Sequence, residues 1–533
     1  MVPTITLKKI LTISILLLAY SFILMSFSNT FDYDFGWHLR FGKDLWQGNG
    51  FPYLDTYTYT WQNKLWINHE WLTDWLYWLI YNNLGYFALQ VFLSLPIIFG
   101  WLIIFKAFRL RLGLTTATIT FLSVYAIQPV LISRPAMFLP LFLSILLYWL
   151  ENITKQTNYY LWPLLFWIWS ALHGSWILGF IVIDIYIAGN IINSLAAKFF
   201  PQWQLGNCWT KREYKIVLIW SFLSALIILI NPYGYHLWAE VLSYFGNNYY
   251  KTIITEWVPS YTFPIYLTPL VIMAGSIPLV WLGIKNKTIT WAQTLLYAAF
   301  WCAAWLYKRH MLIFCLIATP LLAHTCTMVG QQLMRVETYK NFIKNTKTQT
   351  ALIIFGLITT ILLLINFISA TKFTNNIWQE TDFLTTVNEP AAAAEWLNQQ
   401  SEGKPIIIFN YFNWGGFLEW ALPSAQLYFD GRGTATWMYD NHTSLLEHYR
   451  GIALYAGGLK EIETGPTQYI IWQKNGTAVG QPDWINKLAF PNIGSVLKAN
   501  SEPLHLEKML DRSKNWKKIY EDDMANIWQR RLP

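Results

Sequence analysis

Hydrophobic positions along this chain fall in long blocks. Lys8 and Lys9 precede an apolar run from Ile10 to about Phe27, long enough to cross a bilayer and too long for a cleaved signal peptide, which predicts a signal anchor. Further blocks at 86–107, 114–130, 136–150, 160–172, 176–195, 216–231, 264–284, 290–306, 311–328 and 350–369 bring the expected number of spans to about eleven. The pair 160–172 and 176–195 reads as a helical hairpin pinched at His173–Gly174. Two amphipathic stretches, Phe35–Trp46 and Glu70–Asn82, read as short helices lying along the membrane surface. A crossing at Glu70–Asn82 would instead reverse the side of every later connection. Beyond about residue 372 the pattern shortens: AAAAEWLNQQ reads as a helix, KPIIIFN and QYIIWQK as strands, and WKKIYEDDMANIWQRR as two strands around an acidic turn. The expected fold class is a polytopic α-helical membrane protein with a C-terminal extracytoplasmic α/β domain. The helical part covers 1–371 with a large first outer loop at 29–85, and a self-folding α/β unit covers 372–533.

Composition agrees with a membrane protein. Hydrophobic residues make up 54% and charged residues 13%, about half the charged share of soluble domains. The 31 tryptophans suit rings lying in the headgroup layer with their polar edges wet. The net charge of +8 comes from dispersed basic residues in the expected cytoplasmic loops, such as Lys106, Arg109, Lys211 and Arg212, so it reads as loop bias and excludes a nucleic-acid surface. The same bias puts the N-terminus in the cytoplasm and the first loop outside the plasma (inner) membrane. Four cysteines in or near apolar runs and one short loop make no disulfide framework.

Candidate chemistry concentrates in the first outer loop. Asp32 and Asp34 stand one residue apart where a helix should meet water; such a pair can hold a divalent cation such as Mg or Mn, or take a proton from an attacking hydroxyl. His38, His69 and Glu70 follow in the same loop, and Glu256 lies in a later outer connection, as acceptor contacts or supports for the acids. Arg134, His173, Lys308, Arg309 and His310 fall at other outer helix ends, and basic side chains there suit a lipid phosphate or diphosphate. The same positions would also serve as interface anchors, and His173 as a structural histidine. The H-E-x-x-H zinc motif fails because Thr73 occupies its second histidine position. NWGG at 413–416 and DGRG at 430–433 lack the lysine and the glycine spacing of phosphate loops. Asp184 is a lone acid within an apolar block.

The segments FDYDFGWHLRFGKDLW, DTYTYTW, NHEWLTDWLYW, LISRPAMF, LHGSWILG, NPYG, TEWVPS, KRHMLIF, NYFNWGGFLEWALP and YFDGRG resemble a bacterial group of GT-C-like membrane proteins, over nearly the whole chain. In layout it is similar to the GT-C superfamily of polyprenyl-phosphate-sugar-dependent glycosyltransferases, which includes protein O-mannosyltransferases and lipid A aminoarabinose transferases. That resemblance implies sugar transfer from a polyprenyl-phosphate donor to a glycan, lipid or protein acceptor outside the membrane. It places a catalytic base or metal-site acid on Asp32 or Asp34, and lipid-phosphate contacts on Arg134, Lys308 and Arg309. The sequence departs from the Asp-Glu pair of the mannosyltransferases by placing Tyr33 between two aspartates. The alternative expectation is a non-catalytic membrane-anchored glycan-binding or assembly protein.

Overall fold

The computed structural model describes residues 4–29, 32–48, 50–155, 157–246, 249–262, 267–345, 389–455, 457–474 and 504–531. The expected span 350–369 and the expected domain boundary at 372 lie outside these residues. The helical part contains α1 (Thr4–Asn29), α2 (Phe35–Trp46), α3 (Trp71–Ala107), α4 (Leu114–Ile127), α5 (Leu139–Glu151), α6 (Trp162–Leu172), α7 (Trp176–Phe199), α8 (Lys211–Ile227), α9 (His236–Gly246), α10 (Tyr249–Ile253), α11 (Leu267–Lys285), α12 (Trp291–Leu306), α13 (Met311–Leu333) and α14 (Glu337–Lys344). Among the described residues, four stretches are long and apolar enough to cross a membrane: Lys8–Phe27, Trp71–Ala107, Trp176–Phe199 and Lys308–Leu333. Shorter apolar helices cover Leu114–Val130, Pro135–Glu151 and Pro269–Lys285. α3 is broken at Gly85, whose φ of 79° only glycine adopts cheaply. The break falls between the expected surface stretch 70–82 and the apolar block 86–107.

α13 is the centre of the bundle. Every residue from Met311 to Ala323 is buried, and α4, α11 and α12 pack around it. α3 lies against α2 and α5, α1 against α4, and α7 against α12. Peripheral helices turn large apolar side chains outward. On α8 these are Leu218, Phe222 and Leu226, spaced i, i+4, i+8 on one stripe. An outward apolar stripe on a helix that already packs on its other side fits contact with lipid.

The C-terminal region holds α15 (Ala391–Ser401), α16 (Gly415–Ala421), α17 (Leu445–Leu454), α18 (Gly458–Thr464), α19 (Leu504–Arg512) and strands β1 (Ile406–Asn410), β2 (Ala425–Leu427), β3 (Tyr469–Gln473), β4 (Trp516–Glu521) and β5 (Ala525–Arg530). The sheet order is β2-β1-β3-β5-β4, parallel from β2 to β3 and antiparallel beyond. This region packs against the loop between α1 and α3 at its sheet edge and in its core. The loop runs beside the β2 edge, with Tyr59 N–H donating to Leu427 O (3.0 Å) and Leu427 N–H donating to Tyr57 O (2.9 Å). Trp37, Phe41, Tyr57 and Trp66 of the loop share one apolar core with Phe409, Phe429, Trp437, Tyr449 and Trp472.

Candidate functional site

The turn before α2 sets the acid pair. Asp34 N–H donates to Asp32 Oδ1 (3.2 Å) and Phe35 N–H to Asp32 O (3.0 Å), so the Asp-Tyr-Asp turn folds back on the Asp32 side chain. Asp32 is buried, and Asp34 keeps about a third of its side chain exposed. Arg134 precedes Pro135, which holds it extended (φ −121°, ψ 156°) ahead of the turn that leads into α5. Its guanidinium Nη2 reaches Asp32 Oδ1 at 2.7 Å and Asp34 Oδ2 at 3.3 Å, while Nη1 pairs with Glu256. Glu256 lies 3.9 Å from Arg309 Nη1, and the Arg309 guanidinium lies over the Trp257 ring at 4.4 Å. Burial, and then the Asp32 charge, push the Asp34 carboxyl above its usual range, and Arg134 works against both. Arg134 itself is held firmly protonated: burial opposes its charge, and Asp32 and Asp34 outweigh that.

A second cluster lies beside the first. His38 Nδ1 is 2.6 Å from Asp74 Oδ1, and Asn68 donates to Asp74 Oδ2 (2.6 Å) and accepts from Glu70 N–H (2.9 Å). Glu70 is surrounded by three imidazoles: His173 Nε2 at 3.3 Å, His69 Nε2 at 3.8 Å and His38 Nε2 at 3.9 Å. Burial, followed by the charges of Asp74 and Asp34, pushes Glu70 well up, while burial pulls His38 and His69 down to about 4 and also holds His173 well below the usual imidazole range. Burial thus works against the charged form of each of these four groups. Gly174 permits the contact with His69, since a Cβ there would stand 2.8 Å from the ring.

Lys308, Arg309 and His310 form a short turn leading into α13. Cations at a helix N-terminus oppose its dipole. An anion bound at that end would be favoured by both the dipole and the side chains.

All these positions meet at one cavity of about 1000 Å³. Asp32, Asp34, His38, His69, Glu70, Arg134, His173, Glu256, Lys308, Arg309 and His310 all line it, at one end of the helical bundle, and the C-terminal region closes it with Tyr411, Asn413, Gly431 and Arg450. A divalent cation does not fit the acid pair as built. The Arg134 guanidinium bonds both carboxylates and would repel a second cation, and among the described residues no group of three His, Cys, Asp or Glu side chains could hold a metal. Arg134, expected from the sequence to face a lipid phosphate, is spent on three carboxylates. Asp184 is exposed on α7, away from the cavity. Thr73, where the zinc motif fails, donates to Leu172 O (2.6 Å) and so ties α3 to α6.

Sequence reasoning passed over two groups. Asp74 and Asn68 sit within the acidic loop, and the only signal for them was Asp74 at four residues from Glu70, one turn along a helix. The other is Arg432, whose side chain is fully buried. It donates to Asp55 Oδ1 (2.7 Å), Asp430 Oδ1 and Oδ2 (2.9 and 2.7 Å) and Glu419 Oε1 (2.9 Å). The rings of Trp66, Tyr57 and Trp437 surround it at 4.4, 4.8 and 5.3 Å. DGRG was read only as a failed phosphate loop, which hid that arginine.

No protein-family model matches the chain, and no curated protein matches it in sequence. Solved structures do. The archaeal oligosaccharyltransferase AglB from Archaeoglobus fulgidus, in complex with an inhibitory peptide and a dolichol-phosphate, superposes with a TM-score of 0.51 at 11% identity, over 86% of this chain and 69% of that one. The Archaeoglobus fulgidus oligosaccharyltransferase tethered to an acceptor peptide containing the NVT sequon gives a TM-score of 0.50 at 10% identity, over 98% and 74%. Identity this low speaks to architecture alone: the chain shares the fold of these oligosaccharyltransferase structures, with apolar helices long enough to cross a membrane and a C-terminal sheet region.

Proposed function

We propose that this protein is a membrane glycosyltransferase that moves a sugar from a polyprenyl-phosphate donor to an acceptor on the side of the membrane where the C-terminal region lies. The observation that carries the reading is the single cavity that joins the Asp32–Asp34 pair to the Lys308–Arg309 turn at the head of α13. The dolichol-phosphate bound by the AglB fold relative is a polyprenyl phosphate and supports the donor class.

In this reading Asp34, the more exposed acid, takes the proton of an acceptor hydroxyl. The hydroxyl oxygen attacks the anomeric carbon from the face opposite the phosphate and forms the new glycosidic bond with inversion. The bond from that carbon to the phosphate oxygen breaks, and its electron pair leaves with the lipid phosphate. Lys308, Arg309 and the α13 N-terminus lie where that growing charge would be met. Arg134 holds Asp32 and Asp34 in register, and Glu70 with its three histidines forms a neutral hydrogen-bonding wall for the acceptor. No step runs through a metal. The fold has about eleven spans in this reading, with the N-terminus in the cytoplasm and residues 372–533 outside.

A binding protein without chemistry is the second reading, favoured by the partly exposed rings of Tyr411, Trp257 and Tyr307 on the cavity wall, which would stack on a sugar. Purification followed by mass spectrometry of retained lipid, and a transfer assay with Asp34→Asn, separates the two. A retained polyprenyl phosphate with transfer lost in the variant supports the enzyme. Equal performance of wild type and both Asp34→Asn and Asp32→Asn leaves the binding reading.

A further inference from the structure

NWGG and DGRG lack the phosphate-loop pattern, yet both contribute to the cavity wall, and Gly416 and Gly431 of these segments face the turn that carries the acid pair. Gly416 lies against that turn: a Cβ there would stand 3.2 Å from Asp34 Cα and closer still to Tyr33 O. Gly36, on the first turn of α2, faces Gly416 in return, with its Cβ position 2.6 Å from the Gly416 carbonyl carbon. Gly415 backs onto Asp430, whose Cβ would be 2.7 Å away. Gly431 faces the Asp34 carboxyl itself: a Cβ would stand 3.0 Å from Asp34 Cγ and run into Oδ1. Four glycines thus form a bare seam along which the backbone of the C-terminal region reaches the acid. Its φ values are not in the left-handed region, so close approach, not backbone conformation, is what these positions need.

The next residue fixes the seam. Arg432 N–H and Nε both donate to Asp430 Oδ1 (2.8 and 2.9 Å), closing the turn on itself. Its Nη1 then crosses to Asp55 in the first outer loop, the same loop that carries Asp34. One guanidinium therefore ties the turn at 430–433 to the loop on the far side of the acid that Gly431 faces.

We propose that the Asp430–Gly433 turn is the positioning element of Asp34, with Gly431 as the seat of its carboxyl and Arg432 as the lock that holds the seat. The carboxyl is pinned between the Gly431 backbone on one side and Arg134 Nη2 on the other. It keeps one open direction, toward the cavity. The consequence for catalysis rests on the glycosyltransferase reading above; the seat itself does not.

Gly431→Ala puts a methyl group where Asp34 Oδ1 lies, and Arg432→Lys keeps the charge but removes the fork that reaches Asp55 and Asp430 together. Gly451→Ala, on α17 where a Cβ meets open space, is the control. Two measurements are made on each full-length variant in detergent, after thermal melting shows it folded: the rate of carbodiimide labelling of Asp34, read by mass spectrometry against exposed Glu402, and sugar transfer with retention of a polyprenyl-phosphate lipid. Labelling of Asp34 should change severalfold in Gly431→Ala and in Arg432→Lys and stay at the wild-type rate in Gly451→Ala. Turnover should fall by roughly 10², as displacing a reacting group by about 1 Å does, while lipid retention holds. Wild-type labelling of Asp34 in both folded variants overturns the proposal whatever the turnover. Altered labelling in a protein whose wild type transfers no sugar upholds the seat and removes the transferase reading.

Discussion

Arg432 offers the sharpest test of how the two halves of the molecule are held together. In Arg432→Met the new side chain fills much of the same space between the Trp66, Tyr57 and Trp437 rings, so little packing is lost. What is lost is the cation. Asp430, Glu419 and Asp55 remain buried together with no positive partner among them. In the wild type, burial alone would raise Asp430, and Arg432 overrides it and holds Asp430 below the usual range. Burial pushes the Glu419 carboxyl well up, and Arg432 works against that shift. Removing one partner of a buried ion cluster costs about 3–5 kcal/mol, because the remaining charge must be protonated or rehydrated. For a region of this size each 1 kcal/mol moves the melting temperature by roughly 2–4 °C, so a drop of about 6–20 °C is expected. The assay is native-state proteolysis of the full-length protein in detergent, following fragments from 389–531 as temperature rises. Arg432→Met with Asp55→Asn should recover at least about 1 kcal/mol, since the two sites share a contact and are not additive. A single variant that melts within about 3 °C of wild type, roughly 1 kcal/mol, refutes the view that this cluster holds the C-terminal region to the loop.

Other outcomes follow from the same geometry. Asp34→Asn keeps size and most hydrogen bonds but cannot accept a proton, so turnover should fall by roughly 10² or more with donor lipid still bound, in a single-turnover transfer assay. Glu419→Gln should flatten the pH dependence of stability: the folded state keeps a proton that the unfolded chain sheds above about 4.3, so wild-type stability declines as pH rises from there toward the raised folded value, and the glutamine variant should gain on it in melts at pH 7 against pH 4. Reporter fusions at Lys285 and Pro533 should give opposite signals; equal signals would overturn the side assigned to the C-terminal region. Residues 389–533 expressed alone should precipitate or melt without cooperativity, because the β2 edge and part of the core are completed by residues 57–66.

Block hydrophobicity made most of the helices legible, because a span leaves a long apolar signature that needs no knowledge of its neighbours. The acidic loop was legible for a related reason: Asp32, Asp34, His38 and Glu70 stand out where apolar residues are the rule. Their convergence with Glu256 and Lys308–His310 was legible only as a shared side, and the cavity that joins them depends on how α3, α6 and α13 pack. The α/β alternation after residue 389 was visible in its strands. The dependence of that region on the first loop was not, since β-edge pairing between residues 57–60 and Leu427 leaves no local pattern. Arg432 was hidden for the opposite reason. A buried arginine looks in sequence like a surface one, and only its three carboxylates and three rings tell them apart. The partner of the acid pair was hidden on similar ground: two nearby aspartates signal a cation, but nothing local says that an arginine a hundred residues away pairs with them.

The Asp55–Arg432 contact closes a loop of 377 residues, and Thr60 to Tyr428 one of 368. During synthesis the acid pair is therefore made long before the segment that packs against it. Until the final part of the chain has been delivered, the β2 edge, the Gly431 seat and the Arg432 lock are missing, and the loop waits with its aromatic face uncovered. A chain that stalls or is clipped late would hold a complete set of helices and an unformed site.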